Sequence, residues 1–269
     1  MGPHSNSETL QRIHDALEAA RVILNEFTPG AVATKYKSGD DPVTAADHAV
    51  DAVLRKNLLR DGEGWLSEET VDDPSRLEKS RVWVVDPLDG TREFVAGIPE
   101  FCVSIAMVEN GIPIAGGICN PATNETFIGS LESGVTYNGK PAKPSQRTSL
   151  HGASVLASRS ETKRGEWDAF IKGSDLNVIS MGSVAYKLAR VSAGLADVTF
   201  TLTPKNEWDV AAGAALVTAA GGYVQTLENT PLKCNRKDPL LSGLIACAPG
   251  LRNELVALLS DHLQPAARR

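Results

Sequence analysis

The chain has 269 residues, 42% of them hydrophobic, which is enough for one large globular domain or two modest ones with a buried core. Its formal net charge of −6 argues against a nucleic-acid polymer or an anionic membrane as the main partner, because both attract concentrated lysine and arginine. No apolar run has the length of a bilayer span and the first residues lack the pattern of a signal peptide, so we expect a cytoplasmic protein with no membrane partner.

Two helices are predicted first. Apolar residues recur at helical spacing between residues 8 and 27, which indicates a helix with one buried face. The stretch KYKSGDDP then interrupts the pattern with Gly, Asp and Pro. A second helix is predicted from about Ala45, which places Asp47 in its first turn.

An antiparallel meander is predicted next. The apolar strand Val82 to Val85 leads into DPLDGTREF, and from Phe101 onward strand-like runs alternate with turns. Asn-Gly pairs at Asn110-Gly111 and Asn138-Gly139 are strong signals for tight hairpins. The N-terminal part, residues 8–145, is therefore predicted to be α+β, with two helices on an antiparallel sheet.

The remaining residues alternate between strands and helices. Strands are predicted at ASVLAS, NVISM, DVTFTL, GYVQT and GLIACA, with helices near 161–172, 184–193 and 209–220 and a last helix at the end. Such alternation is typical of a sheet with helices on both faces. We expect residues 146–265 to form a C-terminal α/β part, and place the border near KPAKPSQRTS.

Cysteine and histidine offer no site of their own. The four cysteines form no C-x-x-C pair and three of them lie in apolar strand-like runs, so buried reduced thiols are predicted instead of a disulfide or a zinc site. The five histidines do not cluster. His48, beside Asp47, is predicted to be a solvated surface residue.

Four groups of acidic residues stand at the ends of predicted elements, next to Gly, Pro or Thr. They are Asp47 in PVTAAD, Glu68 and Glu69 in LSEE, Asp86 and Asp89 in DPLDGT, and Asp209 in NEWDVAAG. Sites made of oxygen donors alone suit hard cations such as Mg²⁺, whereas zinc more usually takes His or Cys. Asp86 and Asp89 follow an apolar strand, where two like charges repel each other unless a cation lies between them.

The stretch DPLDGT also predicts a place for phosphate. Pro87 fixes a turn after the strand, and the backbone carbonyl between the two aspartates is free to coordinate an ion. Gly90 and Thr91 then open a short helix, whose free N–H groups favour an anion. Metal ions on one side and amides on the other would form a phosphate cradle.

The acidic residues also allow other interpretations. Asp47 or Asp209 alone is typical of a favourable charge in a first helical turn, but the four groups together outweigh that explanation. Phosphatases with an aspartyl-phosphate intermediate carry D-x-D-G-T, whereas the spacing here is D-x-x-D-G-T. A non-catalytic phosphate or metal-binding protein is the alternative from a different class.

With these motifs in order, the sequence resembles the inositol monophosphatase superfamily of magnesium-dependent, lithium-sensitive phosphomonoesterases. The resemblance covers about residues 10 to 260 and rests on PVTAAD, LSEE, DPLDGTREF and NEWDVAAG. It implies an α/β fold, a five-layer α/β/α/β/α sandwich, and a homodimer. It also implies hydrolysis of a small phosphorylated substrate with the help of two or three Mg²⁺ ions. By the same resemblance, Mn²⁺ can replace these ions, and Li⁺ inhibits the reaction.

The resemblance further implies roles for individual residues. The implied metal ligands are Glu68, Asp86, the Leu88 carbonyl, Asp89 and Asp209, with Asp86 between two ions. The implied catalytic residues are Asp47, Thr91 and Glu68, of which Thr91 and Asp47 orient and deprotonate the attacking water. Gly90 and Thr91 hold phosphate oxygens, Glu69 lies behind the ligands or at a third ion, and Lys37 belongs to a flap.

Within the superfamily, LSEE, DPLDGTREF, LASRS and GSVAYK resemble the bacterial 3′(2′),5′-bisphosphate nucleotidases. That resemblance implies that Arg159, Ser183 and Lys187 bind the substrate, with Arg159 and Lys187 meeting a second phosphate. Ordinary surface charges are the competing interpretation of Arg159 and Lys187. The substrate is expected to be 3′-phosphoadenosine 5′-phosphate, and inositol 1-phosphate or fructose 1,6-bisphosphate are the alternatives.

Overall fold

The computed structural model describes residues 6–36 and 42–263, which form strands β1–β16 and helices α1–α8. The strands are β1 Thr34–Tyr36, β2 Pro42–Thr44, β3 Gly64–Ser67, β4 Arg81–Asp89, β5 Cys102–Glu109, β6 Ile112–Asn120, β7 Glu125–Ser130, β8 Gly134–Tyr137, β9 Lys140–Ala142, β10 Ser154–Ser158, β11 Asn177–Met181, β12 Val198–Thr201, β13 Lys205–Asn206, β14 Tyr223–Thr226, β15 Leu240–Leu241 and β16 Leu244–Cys247. The helices are α1 Asn6–Leu24, α2 Ala45–Leu58, α3 Thr91–Val95, α4 Arg159–Lys163, α5 Asp168–Gly173, α6 Val184–Ser192, α7 Glu207–Ala219 and α8 Arg252–Leu263. Short 3₁₀ helices occupy Pro74–Glu78 and Pro249–Leu251.

The larger sheet contains seven strands, β3 to β9, in the order of the sequence. From β4 to β9 all neighbours are antiparallel, so the predicted meander is confirmed. Asn110 and Asn138 take positive φ angles of 50° and 48° in their hairpins, as Asn-Gly turns require. Strand β3 joins β4 in parallel, because the connection between them is long enough to return to the same end of the sheet.

The smaller sheet has the order β11-β10-β12-β16-β14. Strand β10 pairs in parallel with β11 and β12, whereas β16 is antiparallel to β12 and β14. The single helix predicted near 161–172 is instead two short helices, α4 and α5. Gly165 separates them with a φ of 80°, a left-handed conformation that ends a helix.

The alternation of side chains along the strands sets the layers. On β4, Trp83 and Val85 pack against α1 and α2, while Val82 and Val84 face the core that contains α6 and α7. That central core also contains alternate residues of the smaller sheet, whose opposite face packs against α5 and α8. The order is therefore helices, sheet, helices, sheet, helices, and the predicted α/β/α/β/α sandwich is confirmed.

Small residues let α7 lie close to its neighbours. A Cβ atom added to Gly116 of β6 would lie 2.5 Å from the Ala212 carbonyl oxygen, and one added to Gly213 would lie 2.3 Å from the Leu188 Cβ atom. Neither contact is sterically possible, so both positions require glycine. The stretch WDVAAG thus brings the first turn of α7 against the larger sheet.

All four cysteines are buried free thiols, as predicted. Burial raises the pKa of each of them, which keeps the thiols protonated and unreactive. Within the described ranges, none of the helices combines the length and the apolar character needed to cross a bilayer.

A buried ion pair ties α1 to the larger sheet. Arg12, 8% exposed, donates to both carboxylate oxygens of Glu63 at 3.0 and 2.6 Å and lies over the Trp83 ring. The Trp83 indole also donates to Glu63 at 2.9 Å. Burial alone would raise the pKa of Glu63, but the bonds from Arg12 and Trp83 lower it overall. The stability from this low pKa is present above the unfolded value of about 4.3 and is lost as the pH falls through the folded one.

We expect Arg12→Met to lower the free energy of unfolding by about 3–5 kcal/mol, because it leaves the buried Glu63 carboxylate without the guanidinium that bonds both of its oxygens. Urea denaturation at pH 7 measures the change. Lys172→Met removes an exposed ion pair with Asp168 and is the control, with an expected effect below about 0.5 kcal/mol. A loss below about 1 kcal/mol for Arg12→Met would show that the pair contributes little.

Candidate metal and phosphate site

Three carboxylates meet where β3 and β4 end and α7 begins. Glu68, Asp86 and Asp209 each offer an oxygen, and these atoms all lie within 4.8 Å of one another. Strand register explains the first two, because Ser67 is paired with Val85 and so Glu68 and Asp86 follow side by side.

Asp209 arrives from the other end of the sequence. It is the third residue of α7, and its Oδ2 atom accepts a hydrogen bond from the Asn206 backbone N–H at 3.0 Å. This bond is half of a capping box, so one carboxylate oxygen of Asp209 caps the N-terminus of α7. The close packing of α7 then sets the distance from Asp209 to the strand ends.

The electrostatics of the cluster favour a cation. Asp86 is 1% exposed, and burial followed by the charges of Glu68, Asp89 and Asp209 raises its pKa well above the ordinary value. Burial, Asp89 and Glu68 likewise raise the pKa of Asp209. Buried carboxylates at this separation repel one another, and a divalent cation with a preference for oxygen ligands offsets that repulsion. The residues present therefore fit Mg²⁺.

The stretch DPLDGT forms a bulge in β4. The strand was predicted to end at Val85 before a turn, but it continues to Asp89, so that prediction of the boundary was wrong. The register with β5 shifts between Asp86 and Asp89, because Pro87 and Leu88 lie opposite the single residue Val103, which gives β4 one extra residue. The Leu88 N–H donates to Asp86 at 2.9 Å, which fixes that carboxylate.

Asp89 is held by α6. Its Oδ2 atom accepts hydrogen bonds from the Ser183 hydroxyl and the Ala185 N–H, both at 2.7 Å. Burial raises the pKa of Asp89, and the two hydrogen bonds oppose that shift. Asp89 is not one of the three clustered carboxylates. Its role as a metal ligand stays a prediction. Because Oδ2 is occupied by these two hydrogen bonds, Asp89 would have to bind the ion through Oδ1.

Asp47 and Thr91, 44 positions apart in the sequence, form a hydrogen-bonded pair. Thr91 Oγ1 lies 3.1 Å from Asp47 Oδ1 and 2.9 Å from the Leu88 carbonyl oxygen. The second oxygen of Asp47 accepts bonds from the N–H and the hydroxyl of Thr44, both at 2.7 Å. The buried carboxylate is therefore fixed with one oxygen toward Thr91.

Gly90 shapes the beginning of α3. Its φ is 97°, and an added Cβ atom would lie 2.8 Å from the Glu100 carbonyl oxygen, so only glycine fits. The short helix begins at Thr91, as predicted. Gly90 and Thr91 stay the predicted donors to phosphate.

The predicted substrate-binding residues Arg159, Ser183 and Lys187 line the same cavity as the clustered carboxylates. This cavity has a volume of about 320 Å³. Lys187 is only 3% exposed, so it is not an ordinary surface charge, and its Nζ atom lies 3.3 Å from the Met181 carbonyl oxygen. Burial lowers the pKa of Lys187, and Asp89 and Glu161 oppose that shift. Ser183 is engaged with Asp89.

Arg159 also lines the cavity but has carboxylate partners. Its Nη2 atom donates to Glu100 at 2.5 Å, and its Nε atom lies 3.7 Å from Glu93. Glu69 has turned toward His48, whose Nδ1 atom is 3.8 Å from the Glu69 carboxylate. His48 is itself mostly exposed, as predicted. The predicted flap residue Lys37 lies outside the described residues.

Three further residues contribute to the site. Lys205 and Glu207 belong to TPKNEWD, a stretch whose contacts the sequence motifs leave undefined, and no sequence signal marked Trp208. Lys205 and Trp208 line the cavity. Glu207, fully buried, accepts the backbone N–H groups of Asn235 and Arg236 at 2.6 and 2.9 Å, and burial raises its pKa to about 7. The contact ties a distant loop to the turn that carries Asp209. No local sequence pattern predicts this contact, because Asn235 and Arg236 lie 28 and 29 positions away from Glu207.

Comparison with known proteins places the chain among related phosphatases. It matches the inositol monophosphatase family over residues 6–264. Nus factor SuhB from Xylella fastidiosa is 34% identical, with 82% of this chain and 84% of that protein covered. Inositol monophosphatase 3 from Solanum lycopersicum is 32% identical, with 81% and 87% covered. The crystal structure of CysQ from Bacteroides thetaiotaomicron is similar with a TM-score of 0.78 and 28% identity, and covers 92% of this chain and 99% of that one.

Proposed function

This chain belongs to the inositol monophosphatase family and is a phosphomonoester hydrolase, and from that premise we propose that its substrate is a nucleoside 3′,5′-bisphosphate. The preferred reaction is hydrolysis of 3′-phosphoadenosine 5′-phosphate to AMP. The resemblance of LSEE, DPLDGTREF, LASRS and GSVAYK to the bacterial bisphosphate nucleotidases supports a substrate of this kind, and the burial of Lys187 is the observation that carries the proposal.

A buried ammonium group favours an anionic ligand. Lys187 lies in the wall of the cavity that also contains the clustered carboxylates, and among the described residues its Nζ atom donates one long hydrogen bond, to a carbonyl. Burying an ammonium ion is costly unless a negative group compensates it. A bisphosphate brings two anionic groups, one for the metal centre and one for Lys187. The leaving group of inositol 1-phosphate is a neutral polyol and has no such second charge.

The acidic residues supply the metal centre. Glu68, Asp86 and Asp209 would hold Mg²⁺ ions, together with Asp89 and the Leu88 carbonyl. When bound, Mg²⁺ stabilises charge on the phosphoryl oxygens and lowers the pKa of water so that it becomes a nucleophile at neutral pH.

The other groups direct the proton and the phosphate. Thr91 Oγ1 accepts a proton from the attacking water and passes its own to Asp47, whose second oxygen Thr44 holds in place. Glu68 helps to position that water. The N–H groups of Gly90 and Thr91 donate to phosphate oxygens, and the phosphoryl group passes directly to water.

Inositol 1-phosphate is the second candidate. The similarity to inositol monophosphatase 3 favours it, and so does Glu93, whose carboxylate lines the cavity beside Arg159 and is a suitable acceptor for a polyol hydroxyl. Fructose 1,6-bisphosphate is a third, because a Thermotoga maritima relative named fructose-1,6-bisphosphatase/inositol-1-monophosphatase is 34% identical.

The protein could instead bind phosphate or metal without catalysing a reaction, which is the alternative outside the enzymes. Relatives named Nus factor SuhB are consistent with such a role. The pair of Asp47 and Thr91 argues against it, because a protein that only binds phosphate or metal has no use for a fixed proton acceptor beside the cluster.

Phosphate release from the three substrates, at equal concentration with and without Mg²⁺, tests the proposal. We expect release to require Mg²⁺ and kcat/KM to be highest for 3′-phosphoadenosine 5′-phosphate. A preference for inositol 1-phosphate would reject the bisphosphate substrate while keeping the metal chemistry. Equal release with EDTA would reject the metal centre itself.

A further inference from the structure

A second lysine of the active-site cavity is held in place from behind. Lys205, on β13, lines the cavity together with Lys187. Its Nζ atom lies 3.3 Å from a Glu161 carboxylate oxygen and 2.9 Å from the Thr203 hydroxyl. Its side chain is 17% exposed, so part of it still faces the cavity.

Glu161 is built into the protein as a fixed anion. It is 2% exposed and accepts hydrogen bonds from the hydroxyls of Thr201 and Thr203 at 2.5 and 2.6 Å and from the Trp167 indole at 3.1 Å. Burial by itself raises the pKa of Glu161, but the two threonines and Lys205 lower it overall, so the carboxylate stays ionised. Glu161 does not line the cavity and therefore orients Lys205 without competing for a ligand there.

The two sides of the cavity differ in charge. Arg92 and Arg159 also line the cavity, and the guanidinium of Arg159 faces two carboxylates, one of which, Glu93, lines the cavity itself. On the other side, Lys205 pairs with Glu161, which does not line the cavity, and the carboxylates that act most strongly on Lys187 are Asp89 and Glu161. The charge of Asp89, a predicted metal ligand, would be offset by a bound cation. A second negative group is therefore attracted more strongly to Lys187 and Lys205 than to Arg159, whose charge two carboxylates already offset.

We propose that Lys205 and Lys187 together bind the second phosphate of the substrate, and that Glu161 is the positioning residue for Lys205. This moves the predicted contact with that phosphate from Arg159 to Lys205. The inference rests on the proposed function, because it presupposes a bisphosphorylated substrate.

The benefit of the second phosphate can be measured directly. It is the ratio of kcat/KM for 3′-phosphoadenosine 5′-phosphate to kcat/KM for adenosine 3′-monophosphate, which lacks that group. We expect Lys205→Met to lower this ratio roughly 10–100-fold, the usual loss for one hydrogen bond to a charged group, and mainly through KM of the bisphosphate. Lys205→Arg should retain most of the ratio. Glu161→Gln should lower it less than Lys205→Met does.

The matched control is Lys233→Met, which removes one positive charge outside the active-site cavity and should leave the ratio unchanged. A wild-type ratio near one would reject the proposed bisphosphate function. A high wild-type ratio that survives in Lys205→Met would overturn the present inference and leave that function standing. An equal loss for both substrates would also overturn it, because the lysine would then act on the fold or the metal centre. If Glu161→Gln does not fold, the two Lys205 variants decide.

Discussion

Asp86→Asn is expected to lower kcat/KM by at least about 10³-fold while the protein stays folded. Asp86 is the buried member of the three clustered carboxylates, and its neighbours Glu68 and Asp209 lie across the space that a cation would occupy. Loss of one charged ligand removes several kcal/mol of stabilisation of the transition state, and each 1.36 kcal/mol is about a tenfold change in rate.

The same substitution separates a catalytic site from a structural one. Without Mg²⁺ the buried carboxylates repel one another, so the asparagine variant should unfold at a temperature no lower than that of the wild type. Mg²⁺ should raise the melting temperature of the wild type and not that of the variant, because only the wild type binds the ion tightly.

The control for Asp86→Asn is Asp168→Asn, the same chemical change on the exposed face of α5, which should leave activity and the response to Mg²⁺ intact. Full activity of Asp86→Asn would contradict its assignment as a ligand between ions. Unfolding of the variant with Mg²⁺ present would indicate that the cluster mainly stabilises the fold.

Thr91→Ala is expected to lower kcat about 10²–10⁴-fold, the usual contribution of a positioned proton acceptor. The hydroxyl lies 3.1 Å from the Asp47 carboxylate and therefore links the attacking water to the residue that accepts its proton. The Mg²⁺ concentration at half-maximal activity should change much less than kcat, because Thr91 is not among the predicted metal ligands. Steady-state rates over a range of Mg²⁺ measure both quantities.

Matched variants isolate the hydroxyl and its acceptor. Thr91→Ser keeps the hydroxyl and should retain most of the activity, whereas Asp47→Asn keeps the shape but loses the base and should resemble Thr91→Ala. Near-normal turnover of Thr91→Ala would show that the proton takes another path. A large loss in Thr91→Ser would assign the effect to the methyl group and its packing.

Local features of the fold were predictable because their causes are local. The second helix begins at Ala45 as predicted, where Thr44 and Asp47 form a capping box within four residues of each other. The hairpin turns at Asn110 and Asn138 follow from the tolerance of asparagine and glycine for positive φ. The boundary of β4 was wrong because its continuation depends on pairing with Ser104 and Cys102 of β5.

In the candidate site, too, the residue types were predictable from the sequence, whereas the distances between them were not. The motifs indicated which carboxylates would serve one oxygen-rich site, since their residue types and flanking turns are visible in the sequence. Only the tertiary structure brought Glu68, Asp86 and Asp209 within 4.8 Å, and left Asp89 attached to Ser183.

The charges of the cavity depended on the tertiary structure most of all. From the sequence, Arg159 and Lys187 were equivalent cations, yet folding neutralised the first with two carboxylates and buried the second. Periodicity and turn residues predicted the helices and the meander, and short motifs indicated the residue types of the metal site. The five-layer arrangement was implied by the resemblance of those motifs to a known family. Burial and charge pairing decided which cation can meet a substrate, because both depend on residues such as Glu161 and Lys205 that meet only when the chain has folded.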